Sequence, residues 1–261
     1  MANKSEIVLI TGSTSGIGLA VARHMAEAGH TIMLHGLLEP AEGEKMASAL
    51  AAEFDVRCGF SNADISTAEG ARQLVSDTRE SVGNPSVLVN NAGIQFTASL
   101  HEFPAERWDA VMAVNLSAPF HLMAECIPAM RDANWGRIIN ISSVHGLVAS
   151  AQKAAYCAAK HGLVGLTKVA ALENADAGIT VNAICPGWVD TPLIEPQIKA
   201  LAERENIAID DAKARLIGAK QPMPVATNPA AIGAMIGFLT SEAAKTISGA
   251  SLPVDGAWTA Q

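Results

Sequence analysis

A chain of 261 residues that is 49% hydrophobic and 17% charged can bury a substantial core, so it is globular rather than disordered. Its net charge of −8 argues against a nucleic-acid partner, because a general phosphate-backbone binder needs clustered Lys and Arg. The cysteines at 58, 126, 157 and 185 form no C-x-x-C pair, so no metal site is expected and the thiols suit a reducing compartment.

Ile7–Ile10 reads as the first strand and is too short for a signal-peptide core. No run approaches the ~18 continuous apolar residues of a membrane span, so no membrane partner is expected and the cytoplasm is the default location. In chain order a helix follows over Gly18–Ala28, then a strand over Thr31–Leu34 and a helix over Ala41–Phe54. A third strand is predicted near Val56–Phe60, a helix over Ala68–Val82 and a buried strand at Val87–Val89. One long helical stretch runs from Glu106 to Met130, ahead of a strand at Arg137–Ile141 and a helix over Lys153–Asn174. Ile179–Ile184 is the sixth strand, Ala230–Leu239 a last helix and Ser251–Val254 a last strand.

Alternating strands and helices, with continuously apolar strands, imply parallel pairing covered on both faces. That is an α/β, doubly wound parallel sheet, whose ligands bind beyond the carboxyl ends of its strands. No linker or repeat interrupts it, so one domain is expected over 1–261. Thr191–Val225 breaks the rhythm, with prolines at both ends and charged amphipathic stretches between. A connection this long is expected to be a substrate lid; a plain pair of surface helices is the alternative.

Three patterns carry chemistry. The first strand runs into Thr11-Gly12-Ser13-Thr14-Ser15-Gly16-Ile17-Gly18, and a helix follows. Glycines there make a tight turn and let backbone N–H groups approach a pyrophosphate at a helix N-terminus. Tyr156 and Lys160 stand four apart on a helix, on one face, and Tyr156 is the only tyrosine. A lysine beside a phenol is expected to lower its pKa and fit it for proton exchange with an alcohol. Ser143 ends the fifth strand, where its hydroxyl can meet a reacting oxygen.

With Asn90-Asn91-Ala92-Gly93, Asn115 and Pro186-Gly187, these patterns resemble the short-chain dehydrogenase/reductase family along the whole chain. The resemblance implies a Rossmann-like sheet, hydride transfer at a nicotinamide and a homotetramer. By position, it makes Tyr156 the acid/base, Lys160 its tuner and ribose ligand, Ser143 the orienter of the substrate oxygen, and Asn115 a water anchor. It assigns cofactor contacts to Gly12, Thr14, Ser15, Gly16, Ile17 and Gly18 in the turn, and to Leu37, Asp64 and Ile65 around the adenosine. It further assigns them to Asn91, Ala92 and Gly93, to Tyr156 and Lys160, and to Pro186, Gly187, Trp188, Val189 and Thr191. The small residues Ala154, Ala155, Ala158, Ala159, Gly162 and Gly165 permit close helix packing, which is compatible with an assembly.

A narrower set is similar to bacterial D-3-hydroxybutyrate dehydrogenases: Gln95, Ser143-Val144-His145-Gly146-Leu147, Lys153, Trp188, Gln197 and Gly256-Ala257-Trp258. A small hydroxy or keto acid needs a cation, amide or imidazole donors and an apolar wall. Lys153, His145, Gln95 and Gln197 can supply the first two, and Trp188 and Trp258 the wall. A neutral substrate would leave Lys153 and His145 without a task. A nucleotide-sensing protein on the same fold would not need Ser143, Tyr156 and Lys160. Where many NAD-using relatives carry an Asp, His35-Gly36-Leu37-Leu38-Glu39 stands instead, with no Arg or Lys to meet a 2′-phosphate. NAD is therefore expected over NADP, by absence of a cation rather than presence of an acid.

Overall fold

The computed structural model describes residues 5–260; of the expected domain over 1–261, residues 1–4 and 261 lie outside the described residues. Seven parallel strands form one sheet in the order β3-β2-β1-β4-β5-β6-β7. They are β1 (Ile7–Ile10), β2 (Thr31–His35), β3 (Cys58–Ser61), β4 (Val87–Asn90), β5 (Gly136–Ile141), β6 (Ile179–Pro186) and β7 (Ser251–Val254).

Successive strand residues face opposite sides, and both sides are apolar. In β1, Val8 and Ile10 join one core with Val21, Met25 and Ile236, while Leu9 joins the other with Leu74, Leu122 and Met130. Residues 87–89 of β4 and 32–34 of β2 split in the same way. Each fully buried Leu or Ile contributes about 1.5–3 kcal/mol. The first face carries α1 (Gly16–Glu27), α2 (Pro40–Phe54) and α9 (Pro229–Thr240). The second carries α3 (Ala68–Ser81), α5 (Ala118–Asp132) and α6 (Ala154–Asn174).

The long helical stretch expected over Glu106–Met130 is helical throughout, but its hydrogen bonding widens in the middle. It is α4 (Ala105–Met112), one π turn (Ala113–Ser117) and then α5. Ala105–Asp132 is, among the described residues, the one stretch long and apolar enough to cross a membrane by length and composition. It packs against α3, α6 and β5, as a core helix does.

The chain leaves β1 toward β2 and β3, then returns past β1 to build β4 and the rest. The carboxyl ends of β1 and β4 therefore form the crevice of a doubly wound sheet. Thr191–Val225 folds as a helical pair, α7 (Glu195–Glu205) and α8 (Ile209–Gly218). Ile198, Leu201, Ala202, Ala212 and Ile217 turn inward onto Trp188, Trp258 and Val144. The far end of the segment is pinned by Gln221, whose amide oxygen accepts the Trp188 N–H at 3.1 Å. The same amide donates to the Val225 carbonyl at 2.7 Å.

Candidate active site

Thr11 ties β1 to β4. Its hydroxyl accepts the N–H groups of Asn91 and Ala92, both at 3.0 Å. Asn91 answers by donating to the Thr11 and Gly12 carbonyls at 2.8 and 3.0 Å. Gly12 has φ +62°, where a side chain would be strained, and a Cβ on Gly18 would collide with the Gly12 carbonyl oxygen. The turn so shaped delivers the N-terminus of α1 to a cavity of ≈ 700 Å³. Positive helix-end potential and free N–H groups suit that end to a pyrophosphate.

Most of the expected cofactor contacts border this cavity. Gly12, Thr14, Ser15, Gly16 and Ile17 do so from the turn, Leu37 from beyond β2, and Asp64 and Ile65 from beyond β3. Asn91, Ala92 and Gly93 follow β4, and Pro186, Gly187, Val189 and Thr191 follow β6. Gly18 and Trp188 do not border it: Gly18 stands behind the turn, and Trp188 is buried against the helical pair. His35, Gly36, Ile94, Val114, Ile141, Ser142, Pro192, Ile194 and Pro196 also line it, none of them expected as a cofactor contact. Hydrogen bonds from Ser66 hold the Asp64 carboxyl below its ordinary range, so it is an anion at neutral pH. A glycine-lined cradle, a helix N-terminus and a cavity of this size fit a dinucleotide.

Ser143 leaves β5 in extended backbone and caps the short turn Val144–Gly146, accepting the His145 N–H at 3.2 Å. Tyr156 and Lys160 lie one turn apart in the first half of α6, and both border the cavity. Lys160 is 3% exposed and donates to the Ile141 carbonyl at 2.7 Å. Asn115 sits in the π turn, where its side chain both accepts from and donates to the Ile94 backbone, at 2.8 and 2.9 Å. A Cβ on Gly93 would lie 3.4 Å from Asn115 Oδ1 and 3.7 Å from Lys160 Nζ, so these groups converge behind the cavity wall.

The charge balance differs from the expectation that Lys160 acidifies Tyr156. Burial pushes the phenol up to about 12, and a hydrogen bond from Ser143 opposes that rise. Burial pulls the Lys160 ammonium down to about 8. Burial is the largest influence on each group, since it disfavours the charged form of both.

The expected substrate residues divide into two sets. His145, Tyr156, Trp258, Trp188 and Lys153 make one continuous row. The His145 ring meets Tyr156 edge-on at 5.9 Å and Trp258 at 5.5 Å, and Trp258 stands 6.1 Å from Trp188. Lys153 Nζ lies 5.7 Å from the centre of the Trp188 ring. The Trp188 indole N–H is buried with no hydrogen-bond partner among the described residues. Gln95 and Gln197 are half-buried and stand apart from this row; of all the expected substrate residues only Ser143 and Tyr156 border the main cavity, and His145, Lys153, Trp188 and Trp258 lie beyond its lining.

A doubly wound sheet whose crevice holds this cradle beside a Ser-Tyr-Lys constellation defines a nicotinamide-dependent oxidoreductase. The chain belongs to the short-chain dehydrogenase family, which matches residues 6–201. It is 48% identical over 256 residues to the D-beta-hydroxybutyrate dehydrogenase of Cupriavidus necator, covering 98% of both chains. It is 42% identical to the enzyme of the same name from Rhizobium meliloti, covering 98% of this chain and 100% of that one. Among solved structures, L-sorbose reductase from Gluconobacter frateurii, complexed with NADPH and L-sorbose, superimposes with a TM-score of 0.92. That protein is 29% identical, with 98% of this chain and 97% of the other covered.

Proposed function

We propose that this enzyme interconverts D-3-hydroxybutyrate and acetoacetate with NAD as hydride carrier. The observation that carries the reading is the Lys153 ammonium, half-buried over Trp188 at the end of a row that begins at Tyr156. A cation enclosed there, with an indole wall beside it, suits a small anion with an apolar end. The two hydroxybutyrate dehydrogenases at 48% and 42% identity support the same substrate.

A nicotinamide dinucleotide, which the Gly12–Ile17 turn, Asp64 and Asn91–Gly93 would hold, would supply the hydride acceptor for the alcohol carbon. Tyr156 accepts the hydroxyl proton at its phenol oxygen, and in reverse it returns that proton to the ketone. Ser143 donates a hydrogen bond to the substrate oxygen and holds it against Tyr156. Lys160 keeps a positive charge behind the phenol below about pH 8, which favours the phenolate as it forms. Asn115 retains one free lone pair on Oδ1 beside Lys160, a place for a proton-relaying water.

NAD is preferred on the same ground as in the sequence: Leu37 is exposed at the adenosine end, and burial keeps the neighbouring His35 neutral. The reading includes a cytoplasmic homotetramer, supported by the exposed apolar side chains Phe120, Val169 and Leu172 on α5 and α6. Part of the small-residue set on α6 is used internally, since Ala155 and Ala159 pack on Val111 and Gly162 abuts Leu116. The deciding experiment incubates the purified protein with NAD and D-3-hydroxybutyrate and follows the absorbance of the reduced cofactor. Turnover of neutral secondary alcohols without turnover of the hydroxy acid would overturn the substrate. Faster reaction with NADP, the dinucleotide type in the L-sorbose reductase structure, would overturn the cofactor.

A further inference from the structure

We propose that His35 is a positioning residue for the cofactor: its ring clamps the glycine-rich turn to the loop after β3, giving both the shape that receives the adenosine half. This rests on reading the cavity as a dinucleotide site. His35 ends β2, which lies between β1 and β3. Its Nδ1 accepts the Gly12 N–H at 3.1 Å. Its Nε2 stands 2.9 Å from the Ala63 carbonyl oxygen. Since a carbonyl only accepts, Nε2 carries the proton and Nδ1 is bare, which fixes the tautomer. Its backbone joins the same clamp, accepting the Ser13 N–H at 2.8 Å and donating to Ser13 Oγ at 2.9 Å.

Each end of the bridge is part of the cradle. Gly12 is the left-handed residue that turns the chain toward the cavity, and Ala63 precedes Asp64, which borders it. His35 itself borders the cavity and is 3% exposed. A hydrophobic residue there would leave the Gly12 N–H and the Ala63 carbonyl without these partners, next to the ligand. A protonated ring would set a second N–H against that of Gly12. Burial keeps the ring neutral at pH 7 by lowering its pKa, and the charged group acting on it is Asp64, which opposes that lowering.

The test measures NAD affinity by calorimetry without substrate, kcat at saturating NAD, and thermal stability. His35→Leu removes both contacts, whereas His35→Asn places an amide oxygen where Nδ1 stood and keeps an acceptor for Gly12. Expected are a Kd for NAD raised about 10-fold or more in His35→Leu, with kcat within about twofold of wild type, and recovery of most of the affinity in His35→Asn. Wild-type affinity should also weaken as pH falls below the ordinary imidazole range, from which burial lowers this ring, and His35→Asn should lose that slope. Wild-type affinity in His35→Leu would overturn the proposal, showing a fold brace only. So would equal pH slopes in wild type and His35→Asn, a comparison that decides even if His35→Leu fails to fold. A wild-type protein binding neither NAD nor NADP would instead overturn the reading of the cavity, and this proposal with it.

Discussion

His145 stands behind Ser143, its Nδ1 3.3 Å from the serine hydroxyl and its Nε2 3.0 Å from the hydroxyl of Ser150. Both ring nitrogens are thus engaged within the protein. Burial, helped by Lys153, holds the imidazole down to about 4, so it is neutral through the physiological range and charges only as pH falls toward that value. His145→Ala should lower kcat about tenfold, the worth of one hydrogen bond that fixes Ser143, and leave NAD affinity unchanged. The kcat/KM profiles of wild type and variant should share their shape above about pH 6. An inflection near 6.5 present only in wild type would mean that the ring titrates in water.

Tyr156→Phe should leave NAD binding nearly intact while kcat falls by roughly 10²–10⁴, the usual worth of a positioned acid/base. Lys160→Ala should damage both quantities. Steady-state rates with parallel cofactor titrations are the measurement. A Tyr156→Phe enzyme keeping a tenth of wild-type kcat would remove the phenol from the chemistry.

Leu37 is three-quarters exposed at the rim of the cavity. Leu37→Arg should offer a guanidinium to a 2′-phosphate and narrow the gap between NAD and NADP. Comparing kcat/KM for the two cofactors tests this. Equal values in the unaltered protein would contradict the preference.

Lys153 should pair with the substrate carboxylate. Lys153→Ala should cost about 1.5–3 kcal/mol of transition-state binding, or roughly 10- to 200-fold in kcat/KM for hydroxybutyrate. Slow turnover of a neutral analogue such as 2-butanol should barely change. Turnover of hydroxybutyrate within about twofold of wild type would move the carboxylate pocket elsewhere.

The helical pair should exchange its amides faster without substrate than with it, because closure over the site excludes water. The Gln221 contacts to Trp188 and Val225 predict where the motion stops: residues 195–218 should change, and 221–225 should not. Hydrogen exchange followed by mass spectrometry reads both. Equal protection with and without ligand would make the pair fixed scaffold.

Strand and helix order was legible because apolar runs such as Val87–Val89 have few alternatives in a two-sided sheet. The nucleotide cradle was legible because its glycines answer local backbone demands. The π turn was not, since Ala113-Val114-Asn115-Leu116-Ser117 lacks any proline or glycine to mark it. A four-residue offset reports the proximity of Tyr156 to Lys160, but not the burial that raises the phenol to about 12 and lowers the ammonium to about 8. His35 escaped notice because that position was searched for an acid or a cation, whereas its role lies in bonds to Gly12 and Ala63, far apart in sequence.

The π turn has a consequence for altering this protein's length. An α-helix advances 100° per residue, so one residue more or less in the α-helical parts of Ala105–Asp132 rotates everything beyond it. Ala118, Leu122, Cys126 and Met130 all lie beyond it, packed in the core. Deleting Val114 is the exception, since it removes the one extra residue that the wide i→i+5 turn accommodates: the stripe would keep its face while Asn115 left Ile94. The segment should therefore accept many side-chain replacements yet reject nearly every insertion or deletion, and a chimera joined inside it must carry the irregular turn intact.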